Sequence, residues 1–570
     1  VLDRGASMLE RDKNHPCVLL WSCGNESFGG RDLFLLSEYF RHRDPSRLVH
    51  YEGVRNDPRY PDTTDVYSRM YAKVADIEAY LNSRPDKPFM NCEYTHAMGN
   101  SCGGIDLYRE LEDKYPMYQG GFIWDYVDQA LRVKGPNGQT RLSYGGDWGD
   151  RPTDYHFNTN GIILGDRTLT PKVQEVCHAF RPADLKPAAG GVTVRNCRLF
   201  TALDDFRLVW EVLLDGEPLA TGSADLPAIA PGGSAFVPLS LPAVPQPGEV
   251  ALVCRLALKE DTLLLPAGTC LASGWCILSE PCAHAPASEL PDLVVCDANV
   301  GVHVPGLSFM CGRKYPGLLS LKDATGRETL LRAPQLSLFR ASTDNDCGNG
   351  YAVRQGIWHA VSRHSLAAEE AIDSRQIRYA YTSPLLGDSK ISLSYEAESD
   401  AVAVTLDFPG FPDQPDLAAL GLSLQLDPRL KHVTYYGLGP EEAYVDRCDG
   451  ALPGIWRYEA EQGFTRYCKP QESGSRFGVR WLTVTDDDGH GVRVDMVDHP
   501  LEISVCPWLP EELAAKWHPD ELMGSCRTVL DVARFRRGIG GDDSWGAPVL
   551  PQYTYPSDRP YQLRFRLRGI

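Results

Sequence analysis

The 570-residue sequence has no Cys-x-x-Cys pair, no basic tract, no long apolar run and no internal repeat. Its 17 cysteines are odd in number and scattered singly, which argues against a disulfide framework and against a zinc site. They read as free, mostly buried thiols, so a reducing, cytoplasmic setting is expected. The charge balance is 57 − 76 = −19, unsuited to nucleic acid or an anionic membrane surface. No segment approaches the roughly 18 apolar residues of a membrane span. The charged opening VLDRGASMLERDKNH is not a signal peptide, and a first residue Val rather than Met reads as a fragment or a processed chain. What remains is an ordinary globular composition, 43% hydrophobic and 23% charged, long enough at roughly 150 residues per domain for about four domains.

Residues 1–182 alternate short apolar runs with helical stretches. The runs are Cys17–Trp21, Arg47–Tyr51, Val66–Tyr71, Pro88–Cys92 and Gly121–Trp124, and the intervening Arg31–His42, Lys73–Asn82 and Ile105–Lys114 have helical periodicity. Strand–helix alternation predicts a parallel sheet, here with five strands where a closed (β/α)8 barrel has eight. From residue 183 the helical pattern stops. Alternating segments such as Arg207–Leu214 and Val250–Lys259, separated by Asp215-Gly216 and Pro231-Gly232-Gly233, predict an immunoglobulin-like antiparallel sandwich over 183–281. A Pro/Ala/Ser-rich linker is expected at 282–293, followed by a large antiparallel β-sandwich over 294–570.

Two of the apolar runs end in carboxylates. Trp21-Ser22-Cys23-Gly24-Asn25-Glu26-Ser27 places Glu26 past one strand, and Asn91-Cys92-Glu93-Tyr94-Thr95-His96 places Glu93 at another. C-terminal strand ends carry the active site of a parallel barrel. A pair of glutamates there matches the needs of glycoside hydrolysis: one protonates the leaving oxygen, the other attacks the anomeric carbon or activates water. A separation of about 5–5.5 Å would mean retention and about 6.5–9.5 Å inversion. Tyr71 ends the third run and Trp124 the fifth, near the same rim, and flat rings suit the C–H faces of sugars. Each feature also has a plainer explanation. Asn, Glu and Ser suit helix caps, a Trp can pack in a barrel wall, and a lone His such as His96 is commonly structural.

Longer motifs carry a resemblance. Arg11-Asp12-Lys13-Asn14-His15-Pro16 followed by Trp21–Ser27 resembles the acid/base signature of family 2 glycoside hydrolases. Cys92–Ser101 resembles the nucleophile signature of the large bacterial β-galactosidases within that family, and Phe122–Gln129 and Tyr144–Asp147 continue it. Thr343-Asp344-Asn345-Asp346, Gly437–Glu442 and Gly538–Trp545 follow in the family's order. The resemblance implies Glu26 as acid/base and magnesium ligand, Glu93 as nucleophile, and Tyr71 as an aid to nucleophile departure. It implies Asn25 and His96 as ligands of sugar hydroxyls, Trp124 as the platform under galactose, and Trp545 as an aromatic lent to the aglycone subsite. Phe157, through its backbone, and Asn160 are implied as ligands of a sodium ion. It further implies a β-galactoside substrate such as lactose, Mg2+ and Na+ as cofactors, a covalent galactosyl-enzyme, and a homo-oligomer for the full-length enzyme.

Thr95 stands where the family has Ala, and Cys23 where it usually has an aliphatic residue. The larger departure is at the front, where the family carries a jelly roll, an immunoglobulin-like domain and three barrel strands, together with further magnesium and sodium ligands. Five strands cannot close a barrel of eight, so this chain on its own is expected to be poorly folded in its first 180 residues and to have little activity. A β-glucuronidase or β-mannosidase, or a non-catalytic carbohydrate-binding protein, are the alternative readings.

Overall fold

The computed structural model describes residues 1–135, 138–243, 248–280 and 291–570. The expected linker at 282–293 lies largely outside the described residues.

The first unit contains the five parallel strands, divided between two sheets. β1 (Leu20–Ser22) pairs in parallel with β2 (Leu48–His50). β3 (Tyr67–Met70), β4 (Phe89–Tyr94) and β5 (Tyr118–Ile123) form a second parallel ladder. One continuous sheet was expected; instead Asp65 bridges the two, its N–H donating to the Val49 carbonyl (2.8 Å) and its carboxylate accepting from Val49 N (2.7 Å). Helices α1 (Leu2–Asp12), α2 (Arg31–Arg43), α3 (Val74–Asn82), α4 (Ile105–Lys114) and α5 (Lys172–Ala179) lie around them. Their apolar stripes explain the packing. Leu36 and Phe40 of α2 meet Trp21 and Val49 in one cluster, and Ile77, Leu81, Tyr108 and Leu111 of α3 and α4 meet Phe89 and Tyr118 in another. α1 and α5 went unread in the sequence.

Residues 183–279 are a sandwich of a four-stranded and a three-stranded antiparallel sheet around Val192, Val194, Phe206, Leu252 and Leu256. The last unit packs a nine-stranded on a five-stranded sheet around one large core that includes Val404, Leu406, Leu422, Leu424, Val532 and Phe565. A helical insert at residues 344–364 interrupts its strands.

The last sandwich grips the loop that follows β4. Arg447 donates to Ser101 O (2.8 Å), Asn100 Nδ2 to Glu472 O (2.7 Å), and Gly103 N to Gly540 O (2.9 Å). Arg447 is itself held by Glu442 (2.8 Å), both side chains buried. At Gly103 a Cβ would sit 2.3 Å from an Asp446 carboxylate oxygen, so glycine is required by close approach.

Candidate active site

A cleft of about 640 Å³ opens over the C-terminal ends of the parallel strands. It is lined by Asn25 and Glu26 beyond β1, Tyr71 beyond β3, Glu93 in β4 with His96 just after it, and Trp124 beyond β5. Phe157 and Asn160 come from the turn before α5, and Trp545 from the last sandwich. All nine residues singled out in the sequence therefore meet in one cavity. Met70 and Asp543 complete the lining.

The backbone turns sharply at three of these strand ends. Glu26, Tyr71 and Thr95 have φ of 53°, 51° and 51°, the left-handed region that L-residues avoid at a cost of order 1 kcal/mol or more. Such bends swing a side chain off the strand axis into the rim. Glu26 N donates to Glu52 Oε1 (2.6 Å), which supports its bend. Glu52 follows β2, and its charge acts on Glu93. Sequence reading missed it, although another apolar run ending in a carboxylate was the available signal.

Glu93 is half-buried. Its Oε2 accepts from Tyr71 Oη at 2.8 Å, and Tyr71 N donates to Glu93 O at 2.7 Å. Burial raises the Glu93 carboxyl above the ordinary range, the Tyr71 hydrogen bond pulls it back, and the charges of Glu26 and Glu52 push it up again. The Tyr71 phenol is held far above its usual value, first by burial and then by Glu93, so it keeps its proton and acts as donor.

His96 is 2% exposed, and burial lowers it to about 4, so it is neutral near pH 7. Its Nδ1 lies 2.9 Å from Ser544 Oγ, and that hydroxyl donates to Asn345 Oδ1 (2.8 Å). The Thr343–Asp346 and Gly538–Trp545 motifs thus orient the imidazole from the last sandwich. The Trp545 ring meets Tyr71 edge-on (centroids 4.6 Å, 89°) and His96 at 5.1 Å. Trp124, Phe157 and Trp545 are 37%, 42% and 49% exposed, leaving open faces toward a ligand. Asp543 is occupied locally, its Oδ1 accepting from the backbone of Trp545, Gly546 and Ala547.

The cation sites implied by the resemblance fare differently. Asn160 Oδ1 is buried without a partner, and the carboxamide nitrogen sits 3.1 Å from Phe157 O. Two neutral oxygens on one turn suit a hard monovalent ion such as sodium. For magnesium, Glu26 stands without a cluster: among the described residues no group of three His, Cys, Asp or Glu could hold a metal ion. The residues present do not make a magnesium site.

Three models of known families match successive parts of the chain. The model described as "Glycosyl hydrolases family 2, TIM barrel domain" matches residues 1–184. "Beta-galactosidase, domain 4" matches 192–279, and "Beta galactosidase small chain" matches 307–567. The chain belongs to glycoside hydrolase family 2. Similar proteins include a beta-galactosidase of Halalkalibacterium halodurans, 39% identical with 100% of this chain and 57% of that protein covered. One of Streptococcus thermophilus is 36% identical (100% and 58% covered), and one of Clostridium acetobutylicum 42% identical (81% and 52%). The chain spans a little over half the length of these curated relatives. Among the described residues no helix is long and apolar enough to cross a membrane.

Proposed function

We propose that the chain carries both catalytic carboxylates of a retaining β-galactosidase acting on terminal β-galactosides such as lactose. The observation that carries this reading is the convergence of Glu26, Glu93 and the Tyr71–Glu93 hydrogen bond in one cleft with open aromatic faces. Glu26 gives its proton to the glycosidic oxygen while Glu93 attacks the anomeric carbon through an oxocarbenium-like state. The alcohol departs and a galactosyl ester forms on Glu93. Glu26 then takes a proton from water, whose oxygen attacks the anomeric carbon, breaks its bond to the Glu93 oxygen and returns Glu93 to its carboxylate. Tyr71 donates to Glu93 and steadies its charge as it leaves. Neutral His96 and Asn25 bind sugar hydroxyls, Trp124 lies under the ring, and Trp545 borders the aglycone. A sodium ion, held by Phe157 O and Asn160 Oδ1, would supply a fixed positive charge for orienting a sugar hydroxyl.

A uronic acid substrate is disfavoured because no lysine or arginine is among the residues lining the cleft. The five parallel strands are read as part of a (β/α)8 barrel, whose closure needs three more. A homo-oligomer follows from the same resemblance, and the free state of the described cysteines suits a cytoplasmic setting. The test is hydrolysis of a chromogenic β-galactoside by the 570-residue chain, and by a longer polypeptide supplying three further strands, each beside its Glu93→Gln variant. Turnover that Glu93→Gln abolishes, with β-galactose as the first product by NMR, is expected. Undiminished turnover by the variant sinks the assignment.

A further inference from the structure

Lys172 opens α5 and is 1% exposed. Its ammonium has three protons, and all three are used: Nζ donates to Ala97 O (2.6 Å), Gly99 O (2.9 Å) and Gly161 O (2.7 Å). No carboxylate pairs with it among the described residues. Asp128 acts on it only at longer range, being engaged by Gly161 N and by Cys468 Sγ (3.5 Å). The Tyr467 ring lies on another side, 5.4 Å from Nζ. A buried ammonium without a counter-ion is costly, and surrounding carbonyls must compensate. Three backbone carbonyls replacing water around one positive charge is how a protein holds a bare monovalent cation.

The placement of the carbonyls is what matters. Ala97 directly follows His96, and Gly161 directly follows Asn160. The ammonium therefore ties together the two loops whose side chains form one wall of the cleft, where Asn160 Nδ2 and His96 Nε2 lie 3.5 Å apart. We propose that Lys172 is a positioning residue, a tethered monovalent cation that fixes the spacing of the His96 and Asn160 loops and so sets the affinity of the cleft for the galactosyl group. This rests on the reading above, in which those two residues face the sugar.

The test compares the active polypeptide with its Lys172→Met and Lys172→Ala variants. KM for a chromogenic galactoside and the inhibition constant of galactose are expected to rise about tenfold in Lys172→Met, the scale of lost charge-assisted hydrogen bonds, with kcat changed much less. In Lys172→Ala, n-propylammonium should recover both galactose binding and melting temperature. Tetramethylammonium, which has no N–H to donate, should recover neither at equal ionic strength. Parental galactose binding by a Lys172→Met protein that merely melts earlier would make the residue structural only and overturn the proposal, as would equal rescue by tetramethylammonium. If neither variant folds, the parent decides. A Lys172 Nζ resonance protected from exchange and shifted by galactose supports the proposal, and one that galactose leaves unmoved refutes it. Absence of galactose binding by the parent brings down the functional reading itself, and is distinguishable from every other outcome.

Discussion

Tyr71→Phe removes one hydroxyl and leaves the ring that packs edge-on against Trp545 and His96. The lost contact is the 2.8 Å donation to Glu93 Oε2, the interaction that lowers the Glu93 carboxyl against burial and two like charges. A hydrogen bond to a charged acceptor is worth about 1.5–3 kcal/mol. Glu93 is half-buried, so water replaces part of this, and about 1 kcal/mol is a fair net loss. That loss favours the protonated carboxyl and so raises Glu93 further. The nucleophile works ionised, so the acid limb of kcat/KM should move to higher pH. The sign of that movement is the diagnostic quantity. The assay is a pH profile of kcat/KM on a chromogenic β-galactoside, with melting temperature as a control. A limb that stays in place or moves to lower pH, in a variant of parental stability, refutes the account of how Glu93 is tuned.

Glu52→Gln tests the same electrostatics with the opposite sign. The amide oxygen can still accept from Glu26 N, but the charge that raises Glu93 is gone, so the acid limb should move to lower pH; an upward movement contradicts the assignment. Gly99→Ala probes the grip of the last sandwich on the loop after β4. Gly99 has φ +54°, and a Cβ would lie 2.3 Å from Asp344 Oδ2 and 2.4 Å from Gln471 Nε2. Asp344 is fixed by His156 (2.8 Å) and Gln471 (2.9 Å) and cannot yield easily. A loss of at least about 2 kcal/mol is expected by denaturant titration, about half from the left-handed backbone, and a loss below about 0.5 kcal/mol means that the loop is free to move.

What was legible in the sequence was local. An apolar run ending in a carboxylate or an aromatic ring is visible without a structure, because strand and rim residue are neighbours in the chain; Glu26 and Glu93 were found by the first signal, Tyr71 and Trp124 by the second. The periodicity that placed α4 over Ile105–Lys114 is local too, with Ile105, Tyr108 and Leu111 recurring every third residue onto the sheet. The division of the five strands into two sheets was not visible. It depends on Asp65, which reads as an ordinary turn residue until its carboxylate is seen on the backbone of β2.

The supports of the site lay beyond such reading because their partners are far apart in sequence. The Ser544 hydroxyl that meets His96 is 448 positions away, and the Glu442–Arg447 pair that carries Ser101 lies about 350 residues on. Long motifs of the last sandwich were recognised by resemblance, but nothing in Thr343–Asp346 shows that Asn345 and Asp344 steady His96 and the Gly99 loop. Lys172 is the sharpest case. A lysine after proline at a helix start reads as a solvated charge, and only the three carbonyls turned toward it give it another role. Side chains that react are held at strand ends and leave a local trace. Those that hold them are chosen by tertiary packing, and no short window of this sequence contains both partners.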